Sequence, residues 1–159
     1  GVGTEPQPLL AEPDYQEREP AVSPDGRWIA YASNASGSLE VEVRPFPDVE
    51  TGRWTISQDG GNSPRWSPSG DELFFREADG SMMAVRVRAG GSFDHDPPGR
   101  LFSIPDEIDV PGARLVYEVT RDGRLVMSRT VDSGGPDTQP SFVLVSNFLE
   151  ELRARVPAR

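Results

Sequence analysis

The chain contains one histidine, His95, in the run FDHDPPG, with a carboxylate on each side, Asp94 and Asp96. A histidine among aspartates is the raw material of a metal centre or a general base. Both uses need more than neighbours in sequence, because adjacent side chains on a strand or loop point apart and a metal takes several convergent ligands. There is no second histidine and no cysteine, so the run reads as a solvated loop. A serine nucleophile fares no better. Ser92, in GGSFD, lacks the closing glycine of Gly-x-Ser-x-Gly and sits in a loop rather than on a strained strand-to-helix turn. Asp25 and Asp122 each stand before a glycine. Calcium ligation would need a different spacing and a further pattern that the chain does not show, so these pairs read as turns. Acids are abundant, yet no pair is set apart by spacing for acid–base work. The expectation is a chain with no catalytic residue, no metal and no cofactor.

The side chains left as binding candidates are Arg65, Tyr117 and Glu118. They fall on the first strand of their respective repeats, where a ring of sheets would line an axial channel. Those strands are read from alternation and turn signals. Residues 28–33 (WIAYAS) and 39–46 (LEVEVRPF) alternate at period two, with the polar loop NASGS between them. RWTIS follows at 53–57. The plan returns with SPRWSP, ELFFRE, MMAVRVR and RLFSI, and again with RLVYEVT, RLVMSRT and SFVLVSN.

This is a repeat with a period of about 44 residues: VSPDGRWIAYASN at 22–34 recurs as WSPSGDELFFREADG at 66–80, and more faintly as VTRDGRLVMSRT at 119–130. The pairs Asp25-Gly26, Ser69-Gly70 and Asp122-Gly123 mark the tight turn between the first two strands of each unit. Four antiparallel strands per repeat at this period is the pattern of a β-propeller blade. A single meander has two apolar faces and buries them only by leaning on its neighbours. The expected fold is therefore all-β, with about three blades at 16–57, 61–104 and 113–147. Residues 4–10 would form the outer strand of a preceding or partner blade. Residues 148–156 would form a short helix, with Asn147 and Glu150 as a capping box.

Composition limits the partners. The 159 residues carry a net charge of −10, and all 16 basic residues are arginine. Without clustered positive charge a nucleic acid partner is not expected, and an anionic membrane surface would repel the chain. With 16 Gly, 16 Pro and 35% apolar residues, short strands joined by turns are the natural outcome. No run is long and apolar enough to span a bilayer, and GVGTEPQPLL has neither the charged start nor the apolar core of a signal peptide. The beginning reads as a cut from something longer, and ELRARVPAR as a natural stop.

The residues Pro20, Ser23, Pro24, Asp25, Gly26, Ile29, Ala30 and Tyr31, followed by Pro64, Trp66, Ser67, Pro68 and Gly70, resemble the TolB-type propeller repeat. In the second unit Ser69 replaces the aspartate, and the third keeps only Asp122 and Gly123. More narrowly, EVEVRPFPDVETGRWTIS, MMAVRV and FVLVSNFLEELRARV resemble the C-terminal extracytoplasmic propellers of bacterial membrane-anchored serine/threonine kinases. No kinase motif is present in the chain itself. The resemblance implies a periplasmic or extracellular, non-catalytic interaction or sensor segment that binds a protein, peptide or small-molecule ligand, as the C-terminal part of a larger signalling protein. The alternatives are the propeller of a prolyl-oligopeptidase-like hydrolase, and a three-blade unit that pairs through its blade edges into a six-bladed homodimer. Three blades are fewer than the four to eight of a closed ring.

Overall fold

A computed structural model describes residues 8–10, 14–88, 90–105, 108, 117–131 and 139–145. Within them the chain forms three antiparallel sheets, the first and third of them meanders in sequence order. Blade 1 runs β1 (Glu17–Val22), β2 (Trp28–Ser33), β3 (Glu40–Pro45) and β4 (Trp54–Thr55), with a 3₁₀ turn at Val49–Thr51 before the last strand. Blade 2 runs β5 (Gly61–Trp66), β6 (Glu72–Glu77) and β7 (Ser81–Arg88). The two-residue β8 (Asp94–His95) pairs with the far end of β7, and β9 (Gly99–Ser103) completes the sheet along the rest of it. Blade 3 shows β10 (Tyr117–Val119), β11 (Leu125–Val131) and β12 (Gln139–Val145). The architecture is all-β, as the repeat requires. Of the expected outer strand at 4–10 only 8–10 are described, and they carry no strand; the expected helix at 148–156 lies outside the described residues.

The repeated turn is built three times from the same parts. In blade 1 the Ser23 hydroxyl donates to Asp25 at 2.6 Å and accepts the Trp28 amide at 3.0 Å, while the Gly26 amide donates to the Ser23 carbonyl at 2.9 Å. In blade 3 Thr120 plays the serine's part, bonding Asp122 and accepting the Arg124 amide at 3.0 Å. Blade 2 has Ser69 where the acid should be. There Asp71, two residues later, accepts from both Ser67 and Ser69 and restores the carboxylate to the turn. Gly26, Gly70 and Gly123 have φ of 71°, 78° and 78°, a region that costs other residues a steric clash with Cβ.

Packing follows from strand alternation. Leu73 and Phe75 point to one side of β6 and join Trp66, Met83 and Val85 against Ala30, Val41, Val43 and Ile56 of blade 1. Phe74 points to the other side and joins Met82 and Ala84 against Tyr117, Leu125 and Met127 of blade 3. Blade 2 is thus buried on both faces. The contact with blade 1 is close enough that a Cβ on Gly61 would come within 2.9 Å of Ser57 and 3.0 Å of Val41.

The segment after β7 read as a solvated loop, and its Gly/Asp/Pro content explains why. In the structure it is a strap. Phe93 is buried, with its ring 5.1 Å from Trp28 and 5.2 Å from Trp54 of blade 1, centroid to centroid. Arg27 donates across to the Gly90 carbonyl at 3.1 Å. One apolar side chain in a polar run carries no periodicity, so alternation could not reveal it.

Two outcomes are expected. Phe93→Ala should destabilise the chain by roughly 3–5 kcal/mol, the usual cost of emptying a buried aromatic site, read from urea unfolding followed by tryptophan fluorescence; a loss under 1 kcal/mol would mean that the strap does not clamp the blades. The Asp25 carboxyl should titrate at about 2, down from 3.8, chiefly because the Ser23 hydroxyl bonds its ionised form. A depressed pKa means stability that is present above 3.8 and lost as pH falls towards 2. Carbon-13 NMR of the carboxyl should show this, and Ser23→Ala should move the midpoint upwards.

Candidate binding surface on the inner strands

The first strands β1, β5 and β10 lie at corresponding edges of successive sheets, with β1 against β5 and β5 against β10. In a propeller this is the edge nearest the axis. Counting back from the turn glycines shows which positions correspond. Ala21, Arg65 and Glu118 each stand five residues before the glycine, and Glu19 and Ser63 each stand seven before.

Glu19 and Ser63 have positive φ, 59° and 54°, and each sits at a register shift in its strand pair. Non-glycine residues seldom adopt this conformation, so something must hold it. Here the Glu19 carboxylate accepts the Ser63 amide at 2.6 Å and its hydroxyl at 3.1 Å, one bulge gripping the next. Pro20 and Pro64 follow directly, and having no N–H they leave no donor stranded at the bulge. The Ser63 carbonyl, freed from the ladder by the bulge, then accepts the Tyr117 hydroxyl from blade 3 at 2.7 Å. Trp66 does the same one step back, donating its indole N–H to the Ala21 carbonyl at 2.9 Å.

The three candidates taken from the sequence come together here. Arg65 lies with its guanidinium carbon 5.9 Å from the Tyr117 ring centroid and its Nε 3.9 Å from Glu118 Oε1, and it donates to the Pro64 carbonyl at 2.8 Å. Their exposures differ. Tyr117 is buried at 1% and belongs to the core between blades 2 and 3, where burial holds its hydroxyl well above the ordinary tyrosine pKa. The Arg65 side chain is 27% exposed and that of Glu118 is 78% exposed. What faces solvent is a guanidinium laid over an aromatic ring, with a carboxylate beside it. Such a pair can bind charged or planar groups, but it holds no nucleophile.

A second polar cluster was not legible as a cluster from the sequence. Tyr31 donates to Glu42 at 2.8 Å and accepts from Arg44 at 2.7 Å, while Arg53 reaches the other Glu42 oxygen. Glu42 is fully buried, and burial together with the Glu42 carboxylate raises the Tyr31 pKa to about 12. The groups satisfy one another, which is the signature of a structural network. His95 lies beside Phe93 with Nδ1 2.9 Å from the Asp96 carbonyl, and both flanking acids are bound by Arg88. Among the described residues no group of acids or histidine could hold a metal ion, and no helix is long and apolar enough to cross a membrane.

The sequence matches no protein-family model and no curated protein. Solved structures supply the likeness. A putative TolB from Agrobacterium tumefaciens superposes with a TM-score of 0.51 at 16% identity, over 80% of this chain and 45% of that one. An oligogalacturonate lyase from Vibrio parahaemolyticus gives 0.49 at 12% identity, over 76% of this chain and 32% of the lyase. The fold is that of a TolB-like propeller segment. The chain spans under half the length of either protein.

Tyr117→Phe removes one donor and strands the buried Ser63 carbonyl. It should cost about 1–3 kcal/mol with no loss of native signal, as measured by thermal and urea melts. An unchanged melt would mean that the hydroxyl does not tie blade 3 to blade 2.

Proposed function

We propose that this chain is a non-catalytic interaction segment, binding a protein, peptide or small-molecule ligand at the inner-strand edge where Arg65 and Glu118 stand. One observation carries the reading. The acids and hydroxyls of the repeated turns are consumed by one another, whereas Glu118 and the partly exposed, loosely paired Arg65 reach solvent from a twice-bridged scaffold. Arginine on an aromatic support is a frequent anchor in protein interfaces, because its orientation is fixed before the partner arrives. The kinase-linked resemblance adds the setting: the C-terminal, extracytoplasmic part of a larger bacterial signalling protein. No nucleic acid and no membrane surface would be a partner, given the acidic chain.

The test uses the parent protein in its own cells. A photo-crosslinking residue at position 118 should capture a discrete partner, and protease added outside spheroplasts should digest this segment. With the partner purified, Arg65→Ala and Glu118→Arg should each weaken binding by about tenfold, in line with the loss of one charge-assisted contact. Affinity unmoved by both variants, or catalytic turnover by the purified segment, would sink the reading.

A second reading is self-association through a blade face. The large apolar side chains exposed among the described residues, Leu9, Tyr15 and Val22, all lie in the first 22 positions. Val22 matches Trp66, which is buried against the preceding blade. Sedimentation equilibrium should give twice 17.4 kDa if this reading holds, and 17.4 kDa if it does not.

A further inference from the structure

A cleft of about 350 Å³ opens between the turns of blades 2 and 3, lined by Ser67, Ser69, Asp71 and Glu72 of blade 2, by Arg86 from β7, and by Arg121 and Asp122 of blade 3. The other described arginines of this acidic chain are mostly held. Arg27 pairs with Asp25 at 2.7 Å, Arg88 with Asp94 at 2.7 Å, Arg124 with Asp122 at 2.8 Å, and Arg53 with Glu42. Arg86 and Arg121 are different. Among the described residues neither donates a hydrogen bond or lies within ion-pair distance of a carboxylate, and both line this one cleft.

Three acids share the cleft, Asp71, Glu72 and Asp122, and Glu72 stands across the strand pair from Arg86. Asp71 is bound by the two serine hydroxyls of its own turn and Asp122 by Thr120 and Arg124. These bonds tie the two carboxylates to their own turns. Burial raises the Asp71 pKa, but the hydroxyl bonds and the charge of Arg86 outweigh it and hold the group ionised. The cleft therefore offers two guanidinium groups that make no hydrogen bond or ion pair among the described residues, in a setting that is otherwise negative.

We propose that the cleft between the blade 2 and blade 3 turns is a carboxylate-binding site of this chain, with Arg86 and Arg121 holding the carboxylate of a peptide. A planar single charge suits the fork of a guanidinium, whereas a phosphate dianion would face Asp71, Glu72 and Asp122 with twice the charge. The carboxylate could come from an acidic side chain or from a chain end, and the two share the same chemistry. The site lies apart from Arg65 and Glu118, so it stands or falls independently of the inner-strand surface.

The experiment is an NMR titration of the isotope-labelled chain at low salt, following the amides of Ser69 and Gly123 and the arginine Nε–H signals. The probes are acetyl-Gly-Glu-Gly-amide, acetyl-Gly-Gly-Gly with a free carboxylate, acetyl-Gly-Gln-Gly-amide and inorganic phosphate. Saturable shifts are expected with the carboxylate peptides, at a Kd on the order of millimolar for ligands this small. The tighter of the two identifies the source. Arg86→Gln and Arg121→Gln should each weaken binding roughly tenfold at an unchanged melting temperature. Arg86→Lys should fall between, keeping the charge but losing the fork. Arg65→Gln should leave the titration as it was. Absence of saturable shifts with both carboxylate peptides, equal shifts with the glutamine peptide, tighter binding of phosphate, or indifference to both glutamine variants would each overturn the proposal.

Discussion

A four-stranded sheet with apolar residues on both faces is unstable in water unless each face meets another sheet. Blade 2 shows what satisfying that condition requires. Its strands send Leu73 and Phe75 one way and Phe74 the other, and both sets are completely buried. Everything else in the chain can be read as a consequence. The turns must be short so that strands stay in register, the inner strands must bulge so that neighbouring edges converge, and each bulge must find partners for the groups it exposes.

The bulges show how the constraint is met at the backbone. Moving a residue out of register frees a carbonyl and an amide, and unpaired buried groups of this kind are costly. The neighbouring blades supply the partners: Trp66 to the Ala21 carbonyl, Tyr117 to the Ser63 carbonyl, and the Glu19 carboxylate to the Ser63 amide. Packing between blades is non-directional, and these bonds fix which residue meets which. They also put Arg65 beside Glu118, because residues at the same position of adjacent inner strands are forced together.

Much of this could be read in the sequence, and the exceptions have physical reasons. Alternation exposed the strands, and the hydroxyl–x–Asp–Gly run exposed the turns, since each residue there is required by local geometry. The displaced acid of blade 2 escaped notice because Asp71 reaches the turn from outside the motif. Positive φ at Glu19 and Ser63 escaped because sequence reading assigns that region to glycine, and these residues hold it only through a partner 44 positions away. Phe93 escaped because a strap is anchored by one side chain. The nearness of Arg65, Tyr117 and Glu118 was implied by their place in the repeat. That Tyr117 points into the core was not, because Tyr117 stands where the other two repeats have Pro20 and Pro64.

Blade 1 bears on how far the rule of mutual burial extends. Its face away from blade 2 carries Tyr31 where blade 2, 44 residues on, carries Phe75, and the cross-strand neighbours are Glu42 in one and Met83 in the other. Arg44 likewise stands where blade 2 has Val85, opposite Ile29 and Leu73 respectively. An apolar interface has thus been exchanged for a network of four polar side chains. Burying Glu42 is tolerable only because Tyr31 and Arg53 satisfy its oxygens, and removing either would leave a buried charge short of partners. A repeat needs a neighbour in proportion to the apolar surface it leaves bare. By that measure blade 1 needs one less than blade 2 does, and Val22 at its inner edge is where the need persists.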